Sequence, residues 1–287
     1  MMNGGLQYQF ARLSIAEKLI AINVLIFLLD GLSGALLGYS FSKWFHLPKD
    51  FFEFLAQPWS LVTYSFFHAG FGHIFWNMMV LYFASRIFLN LFDAQRFINV
   101  YFLGLMLGGL VFLLSYNVFP TLVNSNTALI GASAGVNAVL IFVCAYLPNQ
   151  EVRVIFFNIK LWYIGAALVI KDLVLISMGD NIGGGMAHLG GAFLGYMYAR
   201  QLFKGNDIGS GFTKLRNTLA DFFKPKEKKA PMKTVYKKKT SSSSKADYDK
   251  QAKQKKIDSI LDKISKSGYE SLSKEEKDIL FKAGKED

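Results

Sequence analysis

Cysteine is almost absent from this chain: Cys144 is alone among 287 residues, so no intrachain disulfide can form, and its apolar surroundings assign it to packing. Charge is also scarce before Lys204, where cations and anions nearly balance. Most of the lysine excess behind the net charge of +11 lies beyond that point, so the basic character belongs to the tail. No cleavable signal peptide is expected, because the first apolar block already has the length of a membrane span and offers no convincing small-residue cleavage site.

What is present is apolar. Hydrophobic residues make up 52% of the chain and come in blocks too long for the core helices of a soluble domain. At about 20 residues per span, candidate helices run over Leu19 to Tyr39, Ile74 to Leu91, Phe97 to Tyr116, Leu129 to Leu147, Leu161 to Met178 and Gly184 to Phe203. The expected fold is all-α, a polytopic six-helix transmembrane bundle with a cytoplasmic tail ending in a small helical hairpin. Four regions follow: an N-terminal cytoplasmic segment 1–18, the six-span domain 19–204, an amphipathic helix with a basic disordered linker 205–256, and the hairpin 257–287.

Alternate loops sort the cations. Arg12, Lys18, Arg86, Arg96, Arg153, Lys160, Arg200 and Lys204 fall on one side, against Lys43 and Lys49 on the other, so the positive-inside rule makes both termini cytoplasmic. The second, fourth and sixth spans then run inward from the outer side. His73 lies at the outer end of the second, Ser133 near the start of the fourth and His188 near the start of the sixth. The last two sit roughly 6–8 Å deep at 1.5 Å per residue.

Ionisable residues inside a membrane are costly and point to function, and a serine with a histidine base is the minimum set for acyl transfer. Ser133 stands in Gly131-Ala-Ser-Ala-Gly135. That string fits the nucleophile elbow of soluble hydrolases, but the elbow needs a strand and a sharp turn, and here the surroundings read as helix. Its plain alternative is close helix packing through Gly131 and Gly135. His188 stands in Ala187-His-Leu-Gly-Gly191; imidazole as a residue type is suited to proton transfer, and Gly191 and Gly195 would admit a neighbouring helix. The alternative for His188 is an imidazole satisfied by a neighbour's carbonyl.

His73 and Asn77 are four apart, hence on one helix face, and can donate to a developing oxyanion together with the Ser133 backbone N–H. As a metal pair they are poor, with no carboxylate nearby. His68 reads as a loop histidine at the interface, either simply hydrated or with a role in the site. No acidic residue occupies an obvious triad position, since Asp180 follows the fifth span and Asp172 has Lys171 beside it, so the expected machinery is a dyad. Asp30 in the first span is expected to be satisfied by a neighbouring helix or by water.

With these residues assembled, Leu19 to Lys204 resembles the rhomboid family of intramembrane serine proteases. The resemblance rests on Pro58-Trp-Ser-Leu-Val-Thr-Tyr64, His68-Ala-Gly-Phe-Gly-His73, the His73 to Asn77 spacing, Gly131-Ala-Ser133 and Ala187-His188-Leu-Gly-Gly191, in family order. It implies Ser133 as nucleophile, His188 as general base and then acid, and His73 and Asn77 as oxyanion donors. It also implies single-pass membrane proteins as substrates, cut near the outer surface beside small residues, without a cofactor. Two positions beside the site depart from the family: Ala134 replaces the usual glycine after the serine, and Asn137 replaces an aromatic one turn on. Ala134 is expected to preserve activity, and the Asn137 amide could hydrogen-bond His188. Ala84-Ser-Arg-Ile87 lacks the family's glutamate.

Gly179-Asp-Asn-Ile-Gly-Gly-Gly185 reads as a mobile lid, and the aromatic first outer loop, with Trp44, Phe51, Phe52 and Trp59, as an interfacial anchor or an embedded hairpin. In the tail, Phe212, Leu215, Leu219 and Phe222 recur at helical spacing with Lys214 and Arg216 between them, an amphipathic helix for the inner membrane surface. Lys224 to Lys256 reads as a disordered linker. Ile257, Ile260, Leu261 and Ile264 mark a helix stopped by Gly268, and Ser273-Lys-Glu-Glu276 caps another; the pair is expected either to dock a cytoplasmic partner or to be inert. Membrane lipid is the expected partner of the basic run and nucleic acid is not. The location expected is a bacterial inner membrane. A non-catalytic rhomboid-like protein that binds or escorts membrane helices is the competing function. A transporter would need repeats that the sequence does not show.

Overall fold

The structure is a computed structural model that describes residues 5–123, 127–154, 156–223 and 245–284. The chain divides into two compact units, Met1–Lys224 and Pro225–Asp287.

In the first unit the helices are α1 (Leu6–Arg12), α2 (Ile15–Leu37), α3 (Phe51–Ala56), α4 (Ser60–Thr63), α5 (Phe71–Leu91), α6 (Ala94–Val118), α7 (Pro120–Val123), α8 (Ser133–Tyr146), α9 (Leu161–Ser177), α10 (Ile182–Phe203) and α11 (Ser210–Phe223). Helices therefore occupy the six segments marked by hydropathy. Three of them, α2, α5 and α6, are by themselves long and apolar enough to cross a membrane. The boundaries have local causes. A reciprocal capping box opens α2, with Ser14 Oγ accepting from the Glu17 N–H and Glu17 Oε2 from the Ser14 N–H. Asp93 caps α6 by accepting from the Arg96 N–H at 2.8 Å.

The chain is mostly helical rather than all-α. Two short antiparallel pairs occur among the described residues: β1 (Leu47–Pro48) with β2 (Ala128–Leu129), and β3 (Glu151–Val154) with β4 (Phe157–Lys160). Glu151 faces Lys160 and Val152 faces Ile159 across the second pair. Such runs of two to four residues are too brief to register in span-length hydropathy. The β1–β2 pair ties the first outer loop to the segment entering α8.

The core is built around α8, where Ala134 to Cys144 are buried apart from Asn137. Its neighbours α6 and α10 approach it through small residues. A Cβ on Gly191 would strike the Ala134 carbonyl and one on Gly195 the Ala138 carbonyl. One on Gly108 would meet Ala134 Cβ at 2.6 Å. In lipid no hydrophobic force drives helices together, so association rests on this dispersion contact. Cys144 packs against Gly165 of α9, the role its setting suggested. At 14 residues α8 is about 21 Å long, whereas the 25 residues of α6 span about 38 Å. α8 is therefore far shorter than the neighbour it packs against.

Two expectations are corrected here. Asp30 is satisfied by neither neighbouring membrane-length helix but by the chain just beyond its own helix, which turns back so that the Ser40 hydroxyl (2.8 Å) and the Phe41 N–H (2.7 Å) donate to its carboxylate. The glycine-rich stretch before α10 is mostly helix rather than the loop expected of a lid. Gly183 and Gly185 already lie within α10, where a Cβ would meet Phe112 at 2.8 Å and Ile176 at 2.6 Å, so these glycines serve close packing. The connection shrinks to a tight turn with Gly179 at φ +77° and Asn181 at φ +42°.

In the second unit, α12 (Lys245–Ser267) ends at Gly268 (φ +76°) and α13 (Lys274–Ala283) begins with the Ser273–Glu276 capping box. Lys263 Nζ pairs with Glu276 at 2.8 Å and Ile260 and Leu272 are buried. The first of these helices starts twelve residues earlier than the Ile257 pattern implied. Lys, Gln and Ala between Lys245 and Lys256 are good helix formers and carry it into the stretch read as linker. The rest of that stretch, 224–244, lies outside the described residues.

The α8–α10 contact makes a prediction. Gly195→Val should lower stability by about 1–3 kcal/mol or more, seen as a lower thermal unfolding midpoint in detergent. Gly31→Ala, where a Cβ meets nothing within 4 Å, should leave the midpoint unchanged or raise it.

Candidate active site

A cavity of about 750 Å³ opens between the N-terminal turns of α5, α8 and α10 and the middle of α9, and its wall carries His73, Asn77, Ser133, Asn137, Lys171 and His188. The four residues expected from the sequence to do the chemistry are therefore brought together on one surface. The α8–α10 contact fixes their register, since Gly191 abuts the Ala134 carbonyl one residue after Ser133 and three after His188. No hydrogen bond joins the Ser133 hydroxyl to His188 among the described residues. Loose contacts of this kind are common in unliganded sites and tighten with substrate.

The polar partner of His188 is Asp172. Its Oδ1 lies 3.1 Å from His188 Nδ1, and Lys171 Nζ lies 3.1 Å from the same oxygen. The expectation that no acid stands in a triad position is thus corrected. Asp172 is buried, with its side chain 5% exposed, and an ionised carboxylate there needs the two donors it has. In the tautomer whose Nδ1–H donates to this carboxylate, Nε2 carries the free lone pair. The sequence held a usable signal: α9 and α10 are antiparallel about a turn at Gly179–Asn181, and Asp172 and His188 are equidistant from Asp180, hence at one height. The adjacent lysine hid this, because it offered a nearer partner. Asn137 lines the cavity but makes no hydrogen bond to the imidazole, whose Nδ1 is already engaged.

His73 is held by its own loop. The Ala69 N–H donates to His73 Nδ1 at 3.3 Å, which puts the proton of the neutral ring on Nε2. Gly131 lies directly against that ring: a Cβ there would meet His73 Cε1 at 2.6 Å and Nε2 at 2.7 Å, and its φ is +117°. Asn77 uses one amide hydrogen on the His73 carbonyl (2.8 Å), leaving the other for a ligand. Ser133, as the first residue of α8, has a backbone N–H without a helical acceptor, at the positive end of the helix dipole. The Ala134 methyl sits opposite Gly108, so the departure from glycine there is accommodated by an equally small neighbour.

His68 is not a hydrated loop residue. It is 7% exposed, its ring packs edge-on against His73, and its Nε2 accepts from the Ala132 N–H at 3.4 Å, tying the first outer loop to the residue before Ser133. Burial, with the His73 ring adding to it, pushes its pKa down to about 4. No cluster of three or more His, Cys, Asp or Glu side chains suited to a metal ion occurs among the described residues.

Fold and site together define a helical membrane protein whose serine and histidine face one cavity between helices. The Rhomboid domain family matches residues 55–205, and the chain belongs to the rhomboid family. Among named relatives, RHOMBOID-like protein 12, mitochondrial, of Arabidopsis thaliana is 30% identical over 158 residues, covering 51% of this chain and 47% of the relative. The human Presenilin-associated rhomboid-like protein, mitochondrial, is 30% identical over 186 residues, covering 63% and 46%. The zebrafish (Danio rerio) Presenilin-associated rhomboid-like protein A, mitochondrial, is 28% identical over 141 residues, covering 48% and 36%. The chain thus spans less than half the length of these relatives. Their names are mitochondrial, which conflicts with the expected bacterial inner membrane; membrane-protein character is what stands. Residues 244–284 match a second family, described as a family of unknown function (DUF6576).

The His68 contact predicts a pH dependence. The imidazole accepts a proton near pH 6.5 in the unfolded chain and near 4 when folded. Between these values the unfolded state holds more protons, so stability is complete above about 6.5 and falls as pH drops toward 4, by up to about 3 kcal/mol. His68→Gln should remove this component from unfolding midpoints measured between pH 7 and 4.

Proposed function

We propose that the chain is an intramembrane serine endopeptidase that cleaves the transmembrane segments of single-pass membrane proteins. The observation that carries this reading is the meeting of Ser133 and His188 on one cavity wall, with Asp172 holding the far side of the imidazole. On this reading α2, α5, α6, α8, α9 and α10 all cross the membrane, both termini are cytoplasmic and the cavity opens to the opposite side.

The chemistry follows from the geometry. His188 Nε2 takes the proton as Ser133 Oγ attacks the scissile carbonyl, and later delivers it to the leaving amine. Asp172 keeps the imidazole in the right tautomer and offsets the charge it gains. The tetrahedral oxyanion is met by the Ser133 N–H, the His73 Nε2–H and the spare Asn77 N–H, each worth a few kcal/mol where bulk water is excluded. A helical peptide shields its own amides, so a substrate must unwind locally to reach Ser133, which favours segments with small or helix-breaking residues. The dyad read from the sequence thereby gains a positioning residue on α9.

A serine-reactive phosphonate applied to the detergent-solubilised protein should label the native chain and not Ser133→Ala, and His188→Ala should lose cleavage of a model single-pass substrate. Absence of labelling in folded native protein would favour the escort reading instead. Asp172→Asn should still fold and bind substrate with little change in KM, while kcat falls about 100-fold; an unchanged kcat would return the mechanism to an unaided dyad.

A further inference from the structure

The last helix of the first unit, α11, is fixed to the bundle by its polar side. Thr213 is buried, and its hydroxyl accepts from Asn99 Nδ2 (2.8 Å) and Gln95 Nε2 (3.1 Å). Asn99 also donates to the Gly209 carbonyl at 3.1 Å, and Asp207 ties the approach to α11 to Arg96 (3.1 Å) and to the Tyr198 hydroxyl. At about 100° per residue, Leu215 and Leu219 point roughly 120–160° away from Thr213. They are 57% and 54% exposed, so the apolar stripe does not pack on the helices that hold the element.

The height of this clamp is set by α5. The catalytic cavity uses the first turns of that helix, whereas Gln95, Arg96 and Asn99 lie in the first turns of α6, which follows its far end. The 21 residues of α5 separate the two levels by about 30 Å, the thickness of a bilayer's hydrocarbon core. The helix is therefore held at the opposite water–lipid boundary. Lys214 and Arg216 flank its apolar stripe, and the sequence continues with Lys224, Lys226, Lys228 and Lys229, so from Ser210 to Lys229 six cations stand against the two anions Asp221 and Glu227.

We infer that α11 lies on the surface of the membrane holding the bundle, with Leu215 and Leu219 among the acyl chains and Lys214 and Arg216 on anionic lipid headgroups. Its occupant is that lipid leaflet rather than a protein. The Thr213–Asn99 clamp sets the depth of the helix, and the cations make its seating dependent on lipid charge.

The test uses the full chain carrying Leu219→Cys in a Cys144→Ala background, labelled with an environment-sensitive fluorophore and placed in nanodiscs of phosphatidylcholine with or without phosphatidylglycerol. The expected result is blue-shifted emission that is quenched by lipids spin-labelled near the headgroup and protected from aqueous iodide. The double variant Lys214→Gln, Arg216→Gln should weaken seating roughly 30-fold with phosphatidylglycerol present, at about fivefold per cation, and much less without it. Emission at the water value with full iodide quenching overturns the inference. So does blue-shifted emission insensitive to spin-labelled lipid, which would mean a protein surface covers the stripe. Equal seating of the parent and the double variant on anionic lipid overturns the headgroup contact. None of these readouts depends on proteolytic activity.

Discussion

The contact between α8 and α10 governs this molecule, because Ser133 and His188 belong to different helices and only the approach of those helices brings them to one wall. Gly191 and Gly195 lay the backbone of α10 on the carbonyls of Ala134 and Ala138, and Gly108 of α6 closes the third side. Dispersion falls off steeply with distance, so such contacts are strong only when backbones nearly touch. A side chain in that seam would part the two helices and with them the two reacting groups, so the packing and the site depend on the same few atoms.

Around that seam His188 and His73 are each aimed by a segment other than the helix that carries them, or by a loop folded back on it. Asp172 of α9 orients His188, the Ala69 amide orients His73, and His68 steadies Ala132 at the entrance to α8. Both loop contacts rest on neutral imidazoles that accept a hydrogen bond, and in both the acceptor nitrogen decides where the proton sits. The other end of the bundle is ordered differently. There, side-chain amides, a threonine and the Arg96–Asp207 pair hold α11, and no histidine takes part.

Much of this was legible in the sequence. Span-length apolar runs marked the helices, because a lipid environment enforces continuous hydropathy over a fixed length, and the ordered motifs marked Ser133, His188, His73 and Asn77. What escaped was set by tertiary contact. Asp172 looked paired with Lys171 because adjacency in sequence is visible and adjacency across a helix turn is not. His68 looked as much hydrated as functional because its burial depends on Ala132 and His73. The glycines before α10 looked mobile because a string of glycines reads alike whether it bends or packs, and only Phe112 and Ile176 reveal the difference. The strand pairs escaped because they are shorter than any window that finds a span.

Gly131 combines two demands of unequal kind. Its φ of +117° is a property of its own backbone, whereas the crowding of any added methyl comes from the His73 ring. A second-site change could in principle shift the ring and relieve the crowding, but none can make an L-residue comfortable at that dihedral angle. Suppressor screens should therefore recover partners for substitutions at Ala134 and none for substitutions at Gly131, which makes the glycine two places before the nucleophile a position without genetic rescue.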